Sequence, residues 1–257
     1  MTAQLANPER MASLLQAPVQ IHEVSVRQLT RVHGDVHAVF RASFELTAGT
    51  CTAVLGPNGA GKSSLIQMLA LLTRPSAGTI AMGNVRNSWD ERLSLRPAIG
   101  LVSHDALVHQ ELTGRENLSY IASLYGLSDS AERVSQWLDL VGLADACDRP
   151  VATYSRGMRQ RLSIARALLS EPSLVVFDEP LTGLDRAGQG FFWGVVRALR
   201  ASGRIVVVVT HDFDVPEGVV DRALVLVRGR VRYNGAVQGS LLDLYNSALS
   251  DGPGGGP

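Results

Sequence analysis

The sequence predicts an α/β fold: a mainly parallel sheet covered by helices on both faces, with an N-terminal antiparallel β portion and an inserted helical portion. Three observations carry this. A short apolar stretch at 52–55 runs into a glycine-rich loop and then a helical pattern from Leu65 onward. Strand-like and helical patterns alternate again between 174 and 210. Between these two regions, residues 103–170 place apolar residues at helical spacing. Strands that alternate with helices are joined by crossovers, so they run parallel and bury both faces of the sheet. At 257 residues and 46% apolar content, the chain can build one large domain or two small ones.

Taken in order, residues 1–19 hold two prolines and no sustained period, and read as a flexible extension in which Met11 is a candidate alternative start. The main domain covers 20–246. Its first part alternates: Ile21, Val24, Val26 and Leu29, then Val36, Ala38, Phe40, Ala42, Phe44 and Leu46. That is the period of antiparallel strands, joined around His33-Gly34-Asp35. The strand at 52–55, its loop and its helix follow. A turn at Pro75-Ser76-Ala77-Gly78 closes this unit, and short strands are expected at 79–82 and 98–102.

A helical insertion is expected over about 104–165. Thr113-Gly114-Arg115-Glu116 is a T-x-x-E capping box that opens a helix through Leu118, Ile121 and Leu124. Asp129-Ser130-Ala131-Glu132 opens a second, with Val134, Trp137, Leu138 and Val141 on one face. A third starts near Ser155 and runs through Leu162, Ala165, Leu168 and Leu169. These apolar stripes are core packing. The pattern then returns to a strand at 174–177, a helix at 187–200 and a strand at 205–210. A hairpin of 223–227 and 231–233 turns at Arg228-Gly229, and a last helix covers about 240–248. Residues 247–257, ending DGPGGGP, read as a disordered tail.

Composition narrows the functional classes. Net charge is zero, which gives no electrostatic case for a nucleic-acid partner. Two cysteines, Cys51 and Cys147, show no metal-like spacing and fit a reducing compartment. No apolar run approaches the roughly 18 residues of a spanning helix, and the first twenty residues do not read as a signal peptide. Work at a membrane would therefore need a separate spanning chain.

The strongest motif is 56–64, Gly56-Pro57-Asn58-Gly59-Ala60-Gly61-Lys62-Ser63-Ser64. It fits G-x-x-x-x-G-K-[ST] at every fixed position, between a strand and a helix. Glycines let the backbone curl so that its N–H groups converge on an anion, and the helix adds the positive end of its dipole. Lys62 then reaches the β- and γ-phosphates of a nucleotide, and the Ser63 hydroxyl can ligate Mg²⁺. The chain has twenty-three arginines and a single lysine, and that lysine is Lys62. A compact ammonium fits between phosphates where a planar guanidinium does not. The motif predicts a P-loop NTPase with ATP and Mg²⁺ as cofactors.

The apolar strand at 174–177 ends in Asp178 and Glu179. Asp178 would arrive beside the phosphate loop to hold the Mg²⁺ shell, and Glu179 would polarise a water for in-line attack on the γ-phosphate. A third motif is Tyr154-Ser155-Arg156-Gly157-Met158 with the following Arg159-Gln160-Arg161-Leu162. With Leu181-Thr182-Gly183-Leu184-Asp185 and Thr210-His211-Asp212 it completes an ordered set. On these motifs the chain, over about 20–235, resembles the nucleotide-binding subunits of ABC transporters. The fifth pentapeptide position holds Met158 where that family has glutamine, and Arg156 stands where it has glycine.

The resemblance implies an ABC-type fold with a RecA-like core sheet and an ATPase that works as a homodimer or pseudo-dimer. Each ATP would touch Lys62 and Ser63 of one subunit and Ser155, Arg156, Gly157 and Met158 of the other. Asp185 would lie in the dimer-facing D-loop, and His211 would contact the γ-phosphate and the water oriented by Glu179. His33 stands at the adenine-stacking position. His104 stands at the place of the Q-loop glutamine; imidazole suits Mg²⁺ poorly, so it would act through a water. The partner implied is a separate polytopic membrane subunit, with this chain peripheral on the cytoplasmic face and transport outward, as in an exporter subunit. Residues 100–120 and the YSRGM signature look most like haem-exporter subunits of cytochrome c biogenesis. A non-transport ABC-type ATPase, such as one in iron–sulfur cluster biogenesis, is the alternative.

Overall fold

A computed structural model describes residues 8–15, 20–83, 85, 89–103 and 107–250. The chain opens with helix α1 (Pro8–Leu14). Strands β1 (Glu23–His33) and β2 (Val36–Thr47) pair antiparallel, with His33 opposite Val36 across the expected turn. Strand β3 (Cys51–Leu55), wholly buried, leads through the glycine loop into α2 (Lys62–Leu69). Strand β4 (Ala77–Met82) returns to pair antiparallel with β1, giving a three-stranded sheet in the order β2-β1-β4. A short helix α3 (Trp89–Leu93) and strand β5 (Ile99–Val102) follow.

The helical portion is α4 (Gly114–Leu124), α5 (Ser130–Leu140) and α6 (Arg156–Leu168). The capping box forms as read: the Thr113 hydroxyl accepts from the Glu116 N–H and the Glu116 carboxylate accepts from the Thr113 N–H, at 3.1 and 2.8 Å. Asp129 precedes α5 in a left-handed conformation with no side-chain cap. The expected stripe of Val134, Trp137, Leu138 and Val141 is buried. The chain continues through β6 (Leu174–Asp178), α7 (Arg186–Ala201), β7 (Ile205–Val209), β8 (Arg222–Val227), β9 (Arg230–Ala236) and α8 (Leu241–Ser250).

The second sheet has the order β5-β6-β7-β3-β8-β9, parallel except for the β8–β9 hairpin. Its turn, Arg228-Gly229, has both residues at positive φ, as a tight hairpin requires. Residues of β6 divide between two cores: Val175 and Phe177 join the helical portion and α7, while Leu174 and Val176 face the β1–β2 side. This two-sided burial is why β6 and β7 are continuous apolar runs rather than alternating ones. The order also places β3, β6 and β7 together, so the segments leaving their carboxyl ends share one crevice.

Two terminal readings need correction. Residues 8–15 are not a flexible extension: Met11 and Leu15 are buried in the larger core, α1 lies against α7, and Arg10 pairs with Asp139 of α5 at 2.5 Å. Two apolar anchors four residues apart share one helical face. At the other end, α8 runs through Ser250 with Ala248 buried, so residues 247–250 belong to a helix rather than to a tail. The rest of the expected tail lies outside the described residues.

Candidate functional site

The glycine loop leaves β3 between β7 and β8, and close approach decides its glycines. A Cβ on Gly56 would come 2.3 Å from the Leu226 carbonyl oxygen, and one on Gly61 would come 2.0 Å from that of Ala38. Gly61 also has φ +101°, a conformation that side chains disfavour. The β8–β9 turn holds the loop from outside, where the Gly229 N–H donates to the Ala60 carbonyl at 3.0 Å.

Lys62 is buried and folds over this loop. Its ammonium donates to the Gly56 carbonyl at 2.7 Å and the Pro57 carbonyl at 3.1 Å. Burial lowers its pKa from the ordinary lysine range, and the nearby Glu179 and Asp178 oppose that shift. A cleft of about 380 Å³ is lined by residues 58–64 together with Ala38, Asp178 and Glu179. The motifs that lie more than a hundred residues apart therefore meet at one cleft.

Asp178 is the last residue of β6, opposite Val209 of β7. Glu179 follows with φ +51°, and its N–H donates to the Val209 carbonyl at 2.9 Å. A left-handed residue directly after a strand redirects the chain, and it turns the Glu179 side chain into the cleft beside Asp178. His211, just past β7, places Nδ1 3.3 Å from Glu179 Oε2. Its exposed ring thus contacts the expected base directly. His33 is also exposed, with Nε2 3.4 Å from Ser64 Oγ at the end of the glycine loop. His104 lies outside the described residues.

Ser155, Arg156, Gly157 and Met158 are elsewhere. Ser155 caps α6, its hydroxyl accepting from the Met158 N–H at 3.3 Å. The first turn of α6 carries no acidic residue, so no carboxylate there offsets its positive end. Ser155, Arg156 and Gly157, but not Met158, line a second cleft of about 440 Å³ with Gln160, Arg161 and Asp185, and none of its lining residues is shared with the first. Gly157 opens onto empty space, while Met158 packs against the core. Asp185 caps α7, accepting from the Gly188 N–H at 2.8 Å. Sequence reasoning missed Gln160, whose amide donates to the Pro180 carbonyl at 3.3 Å. Its spacing of four from Arg156 on a helix was the available signal.

For a metal, the first cleft offers the Ser63 hydroxyl and the Asp178 carboxylate. Among the described residues no group of three or more His, Cys, Asp or Glu side chains could hold an ion. Two oxygen donors without a protein cage suit Mg²⁺, which commonly binds through one or two side chains together with substrate phosphates.

Residues 39–182 match the family model described as ABC transporter. The chain is 40% identical over 205 residues to the daunorubicin/doxorubicin resistance ATP-binding protein DrrA of Streptomyces peucetius, covering 79% of this chain and 62% of that protein. It is 38% identical over 217 residues to the Nod factor export ATP-binding protein I of Mesorhizobium japonicum, covering 84% and 63% respectively. It thus spans less than two thirds of the length of these two relatives. Among solved structures, an ATP-binding subunit of an ABC transporter superimposes with TM-score 0.80 at 27% identity, covering 88% of this chain and 99% of that one. An ATP-binding cassette solved as a dimer in a post-hydrolysis state, bound to ADP and Pi, gives TM-score 0.75 at 25% identity, covering 84% and 99%.

Proposed function

The chain belongs to the ABC transporter family, and we propose that it is an ATP-hydrolysing subunit that dimerises around ATP and drives export through a separate membrane-spanning subunit. The observation that carries this is the split site. The cleft with Lys62, Asp178 and Glu179 lacks the anion-ready start of α6, and the cleft with Ser155 and Gly157 lacks a phosphate loop. Two copies placed head to tail complete each other. Ser155, Gly157 and the backbone of Arg156 and Met158 would then meet the γ-phosphate of the ATP held by the partner's loop.

Within the first cleft, Lys62 exchanges its two loop carbonyls for phosphate oxygens. Glu179 accepts a proton from the attacking water, and His211 holds the Glu179 carboxylate and reaches the γ-phosphate. Bound Mg²⁺ would supply charge neutralisation at the β- and γ-phosphates, with Ser63 and Asp178 as its protein donors and His104 acting through a water. His33 would swing from Ser64 to stack on adenine.

Among the described residues no helix is long and apolar enough to cross a membrane. A third cleft, of about 200 Å³, is rimmed by the exposed Leu72, Leu107 and Tyr125 and lined by Arg96 and Arg166. We place the membrane subunit there, with this chain on the cytoplasmic face. The names of the relatives, drug resistance and Nod factor export, support export over a role in iron–sulfur cluster assembly. Haem as cargo rests on sequence style alone, and none of those names includes it.

The test is Glu179→Gln with ATP in size-exclusion chromatography. A stable ATP-dependent dimer is expected, with hydrolysis lowered by about 10²–10⁴-fold. A protein that binds ATP and stays monomeric counts against the split-site reading.

A further inference from the structure

Arg156 departs from the family's usual glycine, and the structure shows where its guanidinium goes. A Cβ built on Gly183 would lie 2.6 Å from Arg156 Cζ, 2.6 Å from one terminal nitrogen and 2.9 Å from Nε. Three near-equal distances mean that the guanidinium lies flat over Gly183, in the space a side chain would take. Gly183 has φ +71°, so it is doubly suited to glycine. Among the described residues the Arg156 guanidinium has no hydrogen bond or ion pair, although the residue is exposed and begins a helix, where a cation is disfavoured. What its side chain does in this chain is to cover Gly183.

One helical turn along α6, the Gln160 amide donates to the Pro180 carbonyl at 3.3 Å. Helix α6 therefore holds the segment 179–185 at two points. That segment is a chain of turns: Thr182 N–H to the Glu179 carbonyl at 3.3 Å, and Leu184 N–H to the Leu181 carbonyl at 3.1 Å. It begins at Glu179, which has φ +51°. A non-glycine residue keeps such a conformation only where its surroundings over-determine it. The two α6 contacts supply part of that determination.

We propose that Arg156 is a positioning residue: by stacking on Gly183 of its own subunit, it ties the start of α6 to the turn that aims Glu179. The proposal rests on the split-site reading for its consequence. The start of α6 faces the partner's nucleotide, while Glu179 serves the subunit's own. Displacement of the α6 start by one ATP then changes the aim of the base at the other, which links the two hydrolysis sites through a single subunit.

The experiment uses the full chain with Arg156→Ala and Arg156→Lys, each also combined with Glu179→Gln. For Arg156→Ala we expect turnover at saturating ATP to fall about 10–100-fold, the scale of a misplaced catalytic group. ATP affinity and, in the Glu179→Gln background, ATP-dependent dimerisation stay as in the parent. Hydrogen exchange at the Thr182 and Leu184 amides, measured without nucleotide, should quicken severalfold. Arg156→Lys should not restore turnover, since an ammonium cannot cover the glycine. Weakened dimerisation in Arg156→Ala that lysine repairs would overturn the proposal, because Arg156 would then act as a charge on the partner's phosphate. Unchanged turnover and unchanged exchange would overturn it as well. If Glu179→Gln alone fails to dimerise with ATP, the split-site reading falls, and the exchange result still judges the Arg156–Gly183 contact.

Discussion

Replacing Lys62 by arginine keeps the charge and changes only its shape. The ammonium now sits over the loop, 2.7 and 3.1 Å from two carbonyl oxygens, on a residue that is 7% exposed. ATP binding exchanges those neutral acceptors for phosphate oxygens. A hydrogen bond to a charged group contributes about 1.5–3 kcal/mol net, so losing the equivalent of one would weaken binding about 10–150-fold. Arginine cannot recover it, because the guanidinium is planar and wider, and the loop cannot widen. Gly56 and Gly61 already stand where a single Cβ would come within 2.3 and 2.0 Å of the Leu226 and Ala38 carbonyl oxygens. Titration with a fluorescent ATP analogue would measure the effect on Lys62→Arg, with circular dichroism to confirm folding. A folded variant that binds within threefold of the parent would refute a phosphate-cradling role for Lys62, since a factor of about three is only some 0.65 kcal/mol.

Ser155→Arg should leave nucleotide binding by the monomer unchanged and abolish the ATP-dependent dimer of Glu179→Gln, read by light scattering. Glu116→Ala should flatten the acid limb of the stability curve. The Thr113 backbone and side chain hold the Glu116 carboxyl below its usual range, so its contribution is present above the unfolded pKa and is lost as pH falls through the lower folded one. Urea titrations from neutral pH downward check it, with equal slopes in both proteins as the contrary result. Tyr125→Arg, at the rim of the third cleft, should spare ATPase activity of the isolated chain and lose co-purification with the proposed membrane subunit. Met11→Ala should remove about 2–5 kcal/mol, the range for emptying a buried large side chain, and the loss should appear as earlier thermal unfolding or local opening of α1.

Most of the first cleft was legible because its residues obey local rules. The phosphate loop is a contiguous pattern, and Asp178 with Glu179 ends an apolar strand that only a buried parallel sheet explains. The order β6-β7-β3 then brings His211 to Glu179, a contact that needed the sheet topology and could not come from spacing. The antiparallel pairing of β4 with β1 was equally illegible, since residues 77–82 carry no sign of which strand they will join. Helix α1 escaped for a different reason. Seven residues give two turns, too few for a period to show, and an isolated helix of that length is unstable in water. Its stability comes from docking on α7 through Met11 and Leu15, which is tertiary information.

The same division explains Arg156. In sequence, Arg156 is a departure from the family's glycine that the resemblance places among the residues touching the partner's ATP. The structure assigns the backbone and the side chain to different tasks. The start of α6 carries no acidic side chain, and Gly157 leaves the approach open. The Arg156 guanidinium meanwhile turns to its own subunit and fills the place of the side chain that Gly183 lacks. Restoring the family's glycine at 156 would keep the anion site and uncover Gly183, so Arg156→Gly should dimerise on ATP as the parent does while hydrolysing more slowly. Normal hydrolysis in that variant would mean that the turn after Glu179 holds its shape without help from α6.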